Sequence, residues 1–337
     1  MNLSETKYLA KPFSHIYIEN AAADYPLTKI ILSRFPGANI IRINHYKDIF
    51  NRSGQDFLAQ KYSKSLILAK NNGELIYKGA KVCQDFDNRY FYYTSNIMNC
   101  VYDCEYCYLQ GMYPSGNIVI FVNFEDYFSK LESYLANHEM YLCISYDTDL
   151  LALENITGLT QKWIDFTKKH ENLKIEIRTK SAYDITSLNN ITERVIFAWT
   201  LSPDIITSKF EHMTPGLNTR LNAVKKALSV TKPRLCLDPV IYVPDYKKIY
   251  SDFYQKIFCT INSEDILDCS LGLFRISSSY LKSMRKKRVC EITAYPYTTC
   301  DNVCSYEKEK SDEMLDFARL ELSRYISSEK IYIPEYD

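Results

Sequence analysis

The chain has 337 residues, of which 46% are hydrophobic and 24% charged, a balance typical of a soluble globular protein with a substantial core. Its 41 basic and 41 acidic side chains cancel, which excludes a global field that attracts a polyanion, so a bound nucleic acid would need a local basic patch. The sequence contains no run of about 18 apolar residues, the length expected of a membrane span. Its first residues lack the apolar stretch of a signal peptide. We therefore expect a cytoplasmic protein whose eleven cysteines are metal ligands, buried apolar residues or reactive thiols rather than disulfides.

Residues 1–90 are predicted to form an α/β lead-in. Apolar residues that alternate with polar ones, such as Ile16 and Ile18, indicate a strand. The predicted elements, in chain order, are a strand in KPFSHIYIEN, a helix in YPLTKIILSRF, and strands in ANIIRIN, SLILAK and GELIYKG.

Strands and helices alternate through residues 91–289, which is typical of parallel βαβ units. About six strands favour an incomplete (β/α) barrel over a closed eight-fold one. An amphipathic helix with one apolar face is predicted at Phe124, Phe128, Leu131 and Leu135. Residues 290–337 form a predicted C-terminal segment with a helix in DEMLDFARLELSRYIS and a short strand in IYIPEY. The strands of the barrel are predicted in RYFYYTS, MYLCISY, LKIEIRTK, RVIFAWTLS, RLCLDPVIYV and CSLGLFRIS, and its further helices in LTQKWIDFTKKH, NTRLNAVKKALS and YKKIYSDFYQKIF.

Cys100, Cys104 and Cys107 follow the predicted strand RYFYYTS, at the strand end where parallel α/β folds carry their chemistry. Three thiolates on a four-iron cluster leave one iron without a protein ligand. That iron can accept the amino and carboxylate groups of S-adenosylmethionine, and the reduced cluster can then release a 5′-deoxyadenosyl radical. Two alternatives are three buried cysteines on one helical face and a structural zinc site, although no fourth zinc ligand is obvious.

These residues carry a family resemblance. The spacing CxxxCxΦC, with Tyr106 as the aromatic residue Φ, is the motif of the radical S-adenosylmethionine superfamily. The longer string CxxxCxYCYLQ, which continues through Tyr108 to Gln110, resembles the spore photoproduct lyase family. Further similar stretches, spread from about residue 12 to about residue 290, are PFSHIYIENAAADYPLT, FVNFEDYF, RTKS, TLSP and DPVIY.

The resemblance implies a partial (β/α)6 TIM-type barrel of the radical S-adenosylmethionine type at residues 91–289, with the α/β lead-in packed on it as an N-terminal extension. It implies a DNA repair lyase that carries a 4Fe–4S cluster and S-adenosylmethionine. The radical takes hydrogen from C6 of a methylene-bridged thymine dimer, and the dimer reverts to two thymines. The implied partners are damaged double-stranded DNA and a one-electron reductant such as flavodoxin or ferredoxin.

The resemblance also implies roles for single residues. Cys100, Cys104 and Cys107 match the cluster ligands, and Tyr106 matches the aromatic residue that lies against the adenine. Lys180 in RTKS and Ser202 in TLSP match residues near the methionyl carboxylate, which suits an ammonium and a hydroxyl group at strand ends. Tyr106 and Tyr108 match two tyrosines proposed to pass a hydrogen atom.

The family uses a thiol after the second barrel strand as hydrogen donor to the product radical. In MYLCISYDTD, Cys143 is the obvious thiol, but alignment on the following Thr148 and Asp149 puts Tyr146 at that position. Cys143 and Tyr146 are three residues apart, so on a regular strand they face opposite sides. Both therefore stay candidates, and a small core residue is the alternative role of Cys143.

The late part of the chain has the only dense basic cluster, which could hold phosphates around a flipped-out lesion or be a solvated helix end. Nearby tyrosines could stack in the duplex. A second metal site is a weaker prediction than scattered thiols, because its three cysteines are not closely spaced. The basic residues are Lys282, Arg285, Lys286, Lys287 and Arg288, the tyrosines are Tyr280, Tyr295 and Tyr297, and the cysteines are Cys290, Cys300 and Cys304.

Three functions remain open at this point. The first is a spore photoproduct lyase that acts on DNA. The second is a relative with the same radical chemistry and a different substrate. The third is a non-enzymatic iron–sulfur or zinc protein that senses redox state or binds a partner.

Overall fold

The computed structural model describes residues 13–79 and 83–334. They form two compact units. The first comprises the residues up to Asp103, Tyr113–Arg178 and Asn189–Val195, and the second comprises Cys104–Met112, Thr179–Leu188 and the residues from Ile196 onward. These units cut across the three predicted segments at residues 1–90, 91–289 and 290–337, and that division stays a prediction.

Strands and helices alternate along most of the described chain, as the sequence predicts. The strands are β1 (His15–Glu19), β2 (Asn39–Ile43), β3 (Leu66–Ala69), β4 (Ile76–Lys78), β5 (Phe91–Thr94), β6 (Ile97–Met98), β7 (Asp103–Cys104), β8 (Ile118–Phe121), β9 (Met140–Cys143), β10 (Leu173–Thr179), β11 (Val195–Thr200), β12 (Glu211–His212), β13 (Arg234–Cys236), β14 (Cys269–Ser270), β15 (Arg275–Ser277), β16 (Thr298–Cys300), β17 (Val303–Ser305) and β18 (Ile331–Tyr332). The helices are α1 (Pro26–Ser33), α2 (Lys47–Phe50), α3 (Phe57–Tyr62), α4 (Leu109–Met112), α5 (Phe124–Leu135), α6 (Glu154–Thr157), α7 (Leu159–Lys168), α8 (Asp204–Phe210), α9 (Leu217–Ala227), α10 (Tyr246–Thr260), α11 (Ser278–Lys287), α12 (Glu291–Ala294) and α13 (Lys308–Leu322).

The first unit contains a sheet with the strand order β2-β1-β3-β8-β6, in which only β6 runs antiparallel to its neighbour. Every residue of β3 and β8 is buried, because their apolar runs are covered on both faces. The sequence analysis missed β8, whose last residue begins the string FVNFEDYF that was matched to a helix. This sheet therefore extends the predicted lead-in beyond residue 90.

A second set of strands in the first unit contains the candidate hydrogen donor Cys143. β4 pairs antiparallel with β5 rather than with the lead-in strands, and β5, β9 and β10 run parallel. Their register places Cys143 between Tyr93 and Glu176. The predicted apolar face of α5 differs at one position, because Tyr127 is buried and Phe128 only half-buried. The carboxyl end of β9 thus carries Cys143, as expected.

The second unit contains the parallel strands β11, β13, β14 and β18. The predicted single strand CSLGLFRIS is wrong, since it is divided into β14 and β15 around Gly272, a residue that weakens strands. β15 instead joins an antiparallel sheet with the β16–β17 hairpin. Among the described residues, no helix is both long enough and apolar enough to cross a membrane.

Candidate active site

The cysteine loop begins after β6 and ends at α4. Asn99 adopts a left-handed conformation with φ of 73°. Cys104 is buried, whereas Cys100 and Cys107 are half-buried. The alternative of three cysteines on one helical face is wrong, because α4 starts only at Leu109. Cys104 ends the short strand β7, whereas Cys100 and Cys107 lie in irregular backbone on either side of it.

Three predicted site residues of the second unit converge on one carboxylate that the sequence analysis missed, Glu211. The Lys180 ammonium lies 2.8 Å from Glu211 Oε1 and also donates to the Tyr106 hydroxyl at 2.6 Å. Ser202 Oγ donates to the same Oε1 atom at 2.8 Å, and the Tyr106 hydroxyl donates to it as well. Tyr106, Lys180 and Ser202 thus form one hydrogen-bonded group around a buried carboxylate.

A second cation, Arg220 on α9, completes this Glu211 cluster. Its guanidinium donates to Glu211 Oε2 and, through Nε, to the carbonyl oxygen of Pro215 at 2.8 Å. Nη1 donates to the carbonyl oxygen of Thr200 at 3.1 Å. Because Arg220 is fully buried and its donors are directed at fixed acceptors, it holds Glu211 in one position.

The charges of the Glu211 cluster follow from these contacts. Burial would raise the pKa of Glu211, but the charges of Lys180 and Arg220 outweigh it and hold that pKa well below the usual range. Burial would lower the pKa of Lys180, but Cys104 and Glu211 outweigh it and raise the pKa. Burial, together with Glu211, raises the pKa of Tyr106. At neutral pH the cluster therefore contains a carboxylate, two cations and a neutral phenol.

The Glu211 cluster fits the cofactors that the motif predicts. Lys180 Nζ lies 3.7 Å from Cys104 Sγ, so a cation stands next to the sulfur of a predicted cluster ligand. Lys180 and Ser202 already bind a carboxylate group, which is the function expected of them towards S-adenosylmethionine. Within the described ranges, no three His, Cys, Asp or Glu side chains converge as a metal-binding group, so the assignment of Cys100 and Cys107 depends on the motif.

The candidate hydrogen donors lie in the first unit. Cys143 is buried at the end of β9, and burial, with a further contribution from Glu176, raises the pKa of its thiol to about 12. The thiol therefore keeps its proton at neutral pH. Tyr146 stacks on Tyr93 with ring centroids 4.2 Å apart, and its hydroxyl lies 3.4 Å from Cys83 Sγ.

Cys83 is a thiol that the sequence analysis missed. It belongs to no motif, and it is 63 residues from Tyr146 in the chain. No spacing signal could have indicated that the two side chains are neighbours. The other predicted tyrosine, Tyr108, is half-buried, and its carbonyl oxygen accepts the N–H of Gly111 at 2.8 Å at the start of α4.

The basic cluster on α11 contacts the cysteine loop of its own unit. Lys287 Nζ donates to the carbonyl oxygen of Gln110 at 2.5 Å, and Arg288 lies 3.7 Å from Glu105. Arg285, although exposed, donates to the carbonyl oxygens of Thr293 and Tyr295 at 2.6 Å and 3.1 Å, and Lys282 and Lys286 are exposed as well. Most of the predicted phosphate-binding side chains therefore already bind acceptors of the chain itself.

The aromatic residues near this cluster pack against one another. Tyr295 and Tyr297 have ring centroids 4.9 Å apart, and each contacts the ring of Tyr306. Tyr280 lies against α4, where a Cβ atom added to Gly111 would meet the Tyr280 Cα atom at 2.7 Å. These three tyrosines are thus part of the packing of the second unit.

Cys290, Cys300 and Cys304 occupy separate environments. Cys290 Sγ accepts the Thr293 N–H at 3.4 Å and caps α12. Cys300 is exposed on β16, and Cys304 is buried on β17. Their three environments differ, and scattered thiols stay the prediction for these cysteines.

Comparisons with known proteins identify the family. A family model described as spore photoproduct lyase matches residues 12–327. A curated spore photoproduct lyase from Clostridium acetobutylicum is 25% identical over 287 residues, which cover 82% of this chain and 81% of the relative. A solved spore photoproduct lyase complexed with dinucleoside spore photoproduct is 19% identical, with a TM-score of 0.80, and the match covers 97% of this chain and 100% of that chain.

A mutant spore photoproduct lyase with bound AdoMet and dinucleoside spore photoproduct has the same identity of 19%, TM-score of 0.80 and coverage of 97% and 100%. These likenesses confirm the predicted fold, a partial TIM-type barrel of the radical S-adenosylmethionine type. Because the family model spans nearly all of the described residues, the chain belongs to the spore photoproduct lyase family.

Proposed function

We propose that this protein is a radical S-adenosylmethionine lyase that repairs the spore photoproduct, a methylene-bridged thymine dimer. The observation that carries the proposal is the convergence of Tyr106, Lys180 and Ser202 on a carboxylate beside Cys104. A set of donors that already binds a carboxylate, next to a predicted cluster ligand, suits the carboxylate of S-adenosylmethionine.

Cys100, Cys104 and Cys107 would hold a 4Fe–4S cluster. When bound, the cluster and S-adenosylmethionine supply a 5′-deoxyadenosyl radical. Lys180 and Ser202 orient the methionyl carboxylate, and Arg220 keeps Glu211 compensated when Lys180 contacts the ligand. The Tyr106 ring, whose hydroxyl donates to Glu211, would lie against the adenine.

The proposed substrate is the thymine dimer in double-stranded DNA, in line with the dinucleoside spore photoproduct found in the similar structures. Hydrogen is taken from C6 of the dimer, the methylene bridge breaks, and the product radical is re-reduced. The electron that reduces the cluster would come from a one-electron reductant such as flavodoxin or ferredoxin. The cytoplasmic location belongs to the same proposal, because a chain with eleven cysteines suits a reducing compartment.

The donor that re-reduces the product radical is proposed to be Cys143. Its raised pKa of about 12 keeps the S–H group intact at neutral pH. Cys83 is the second candidate, because its sulfur contacts the hydroxyl of Tyr146, the residue that aligns with the donor of the family. Tyr106 and Tyr108 stay candidates for passing a hydrogen atom after the donor.

A second function is a radical enzyme of the same family with a substrate other than DNA. The observation that favours it is the use of Lys287, Arg288 and Arg285 by the chain itself, which leaves few cations on α11 for phosphates. A third function, a non-enzymatic iron–sulfur sensor, would require no S-adenosylmethionine cleavage.

Anaerobic turnover with a dinucleoside spore photoproduct separates the three. Reconstituted protein, dithionite and S-adenosylmethionine should produce 5′-deoxyadenosine and two thymines, measured by chromatography and mass spectrometry. Cleavage of S-adenosylmethionine without thymine formation would favour the second function. The absence of 5′-deoxyadenosine from protein that carries a cluster would contradict both enzymatic functions.

A further inference from the structure

A buried lysine of the first unit contacts the front half of the cysteine loop. Lys61 on α3 is 2% exposed, and its ammonium donates to three oxygen atoms. These are Asn99 Oδ1 at 3.0 Å, the carbonyl oxygen of Cys100 at 2.8 Å and that of Tyr102 at 3.1 Å. An ammonium has three donors, so these acceptors use all of them.

Asn99 links Lys61 to the first cysteine. Its Oδ1 atom accepts from both Lys61 and the Cys100 N–H, the latter at 2.9 Å. Its Nδ2 atom donates to the carbonyl oxygens of Ser115 at 2.7 Å and Asn117 at 3.0 Å. Asn99 is fully buried and has a φ of 73°, a left-handed conformation that Asn tolerates better than most residues. The amide therefore holds the backbone that leads into Cys100.

α3 is itself fixed in place. Gln60 Oε1 accepts the Gly116 N–H at 2.8 Å and the Ser115 hydroxyl at 3.0 Å. A Cβ atom on Gly116 would meet the Phe57 carbonyl oxygen at 2.7 Å, so helix and loop are in close backbone contact. The Lys61 ammonium also lies 5.5 Å from the centre of the Phe57 ring, within reach of a cation–π interaction. Lys61 is thus a charge held in one position rather than a mobile surface lysine.

Burying an ammonium is costly unless it is hydrogen-bonded or paired, and three oxygen acceptors supply hydrogen bonds to Lys61. These acceptors belong to Asn99, Cys100 and Tyr102, the residues around the first predicted ligand. We propose that Lys61 is a positioning residue that fixes this segment and places a positive charge beside the cluster site. This inference rests on the proposed function, since it needs a cluster on Cys100.

The proposal predicts two measurable effects. A fixed positive charge stabilises the reduced, more negative cluster, so its removal should shift the midpoint potential to more negative values. Loss of the hydrogen bonds should also weaken cluster retention by about 10- to 100-fold, as for other residues that orient metal ligands.

The test uses the full-length protein, reconstituted anaerobically. Lys61→Met removes charge and donors, Lys61→Gln keeps a donor without the charge, and Lys61→Arg keeps the charge. Lys29→Met, on the exposed face of α1, is the control. Circular dichroism verifies folding, iron loss to a chelator measures retention, and a redox titration followed by electron paramagnetic resonance gives the midpoint potential.

A negative shift of the midpoint potential in Lys61→Met and Lys61→Gln, with Lys61→Arg and Lys29→Met near the wild type, supports the proposal. If Lys61→Met does not fold, the midpoint potentials of Lys61→Gln and Lys61→Arg test the proposal in the same way. An unchanged potential in the neutral variants overturns the proposal, whatever their iron retention. Wild-type protein that takes up no cluster contradicts the proposed function instead, so the two failures are distinguishable.

Discussion

The Glu211 cluster and the donor region around Cys143 differ in how their chemistry is held. In the Glu211 cluster, Lys180 and Arg220 bind one buried carboxylate from two sides. In the donor region, Cys143 is a buried neutral thiol, and Tyr146 contacts Cys83 and a neighbouring ring. Binding a charged cofactor requires fixed charges, whereas hydrogen-atom transfer requires a neutral X–H group. The difference fits the roles proposed for the two regions, cofactor binding by the Glu211 cluster and hydrogen donation by the donor region.

The largest effect is expected from the cysteine loop, on which both regions depend. Replacing Cys100, Cys104 or Cys107 singly with Ala should abolish the absorbance near ~400 nm of a 4Fe–4S cluster and all cleavage of S-adenosylmethionine. Absorption spectra and 5′-deoxyadenosine assays measure both. Cys259→Ala, at an exposed thiol, is the control, and a chromophore that survives all three substitutions would refute the ligand assignment.

Glu211→Gln should have the next largest effect. It leaves Lys180 and Arg220 without their carboxylate, and breaking such a buried pair costs about 3–5 kcal/mol of the free energy of unfolding. Glu291→Gln, which breaks an exposed pair with Lys209, should cost at most about 1 kcal/mol. Denaturant unfolding measures both variants, and equal losses would contradict the role of Glu211.

The same carboxylate predicts a pH dependence. The pKa of Glu211 is lowered in the folded protein, so its stabilisation is fully present above the unfolded value of about 4.3 and is lost as the pH falls towards the folded value. The stability difference between wild type and Glu211→Gln should therefore be constant near neutral pH and shrink below about pH 4.3. Unfolding curves at several pH values test this sign, and a difference that grows in acid would contradict it.

Gly111→Ala, at the end of the cysteine loop, should lower the free energy of unfolding by less than Glu211→Gln. The new methyl group would meet Tyr280 backbone atoms at 2.7 Å, and overpacking of this kind costs about 1–3 kcal/mol. Gly37→Ala has no heavy atom within 4 Å of the new group and should be nearly neutral. Thermal unfolding compares the two, and similar melting temperatures would show that α4 and α11 can separate without cost.

The smallest effect on S-adenosylmethionine cleavage is expected from the donor region. Cys143→Ala should leave hydrogen abstraction intact but divert the product radical to other products. Cys83→Ala is the matched thiol variant, and Cys259→Ala is again the exposed control. Product analysis by mass spectrometry decides between them. Diversion by Cys83→Ala alone would assign the donor to the thiol beside Tyr146.

The sequence predicted what local spacing and strand ends determine. Tyr106 lies inside a compact motif, and Lys180 and Ser202 follow apolar strands, so their convergence could be expected from a parallel barrel. Glu211 could not be predicted, because it follows α8 and matches no motif. Its role depends on the fold, which brings Arg220, nine residues later in the chain, within hydrogen-bond distance of it.

The donor region shows what strand periodicity cannot predict. The one-residue alternation of a strand placed Cys143 and Tyr146 on opposite faces, but β9 ends at Cys143 and Tyr146 lies beyond it. The side-chain direction of a residue past a strand end is not determined by strand periodicity. The pattern of the sequence also failed to reveal β8, whose apolar run ends at Phe121, shortly before α5 begins at Phe124. A short buried strand has no alternation that would reveal it.

The contacts of α11 predict how DNA binding by this helix would depend on ionic strength. Lys282, Arg285 and Lys286 are exposed, but Arg285, like Lys287 and Arg288, also binds acceptors of the chain. Two phosphate contacts would release about two condensed counterions, which corresponds to a slope of about −1.8 in log K against log salt concentration. If α11 is the segment that binds the duplex, its affinity should therefore depend only weakly on salt. Such binding would depend on the shape of the damaged site more than on its charge.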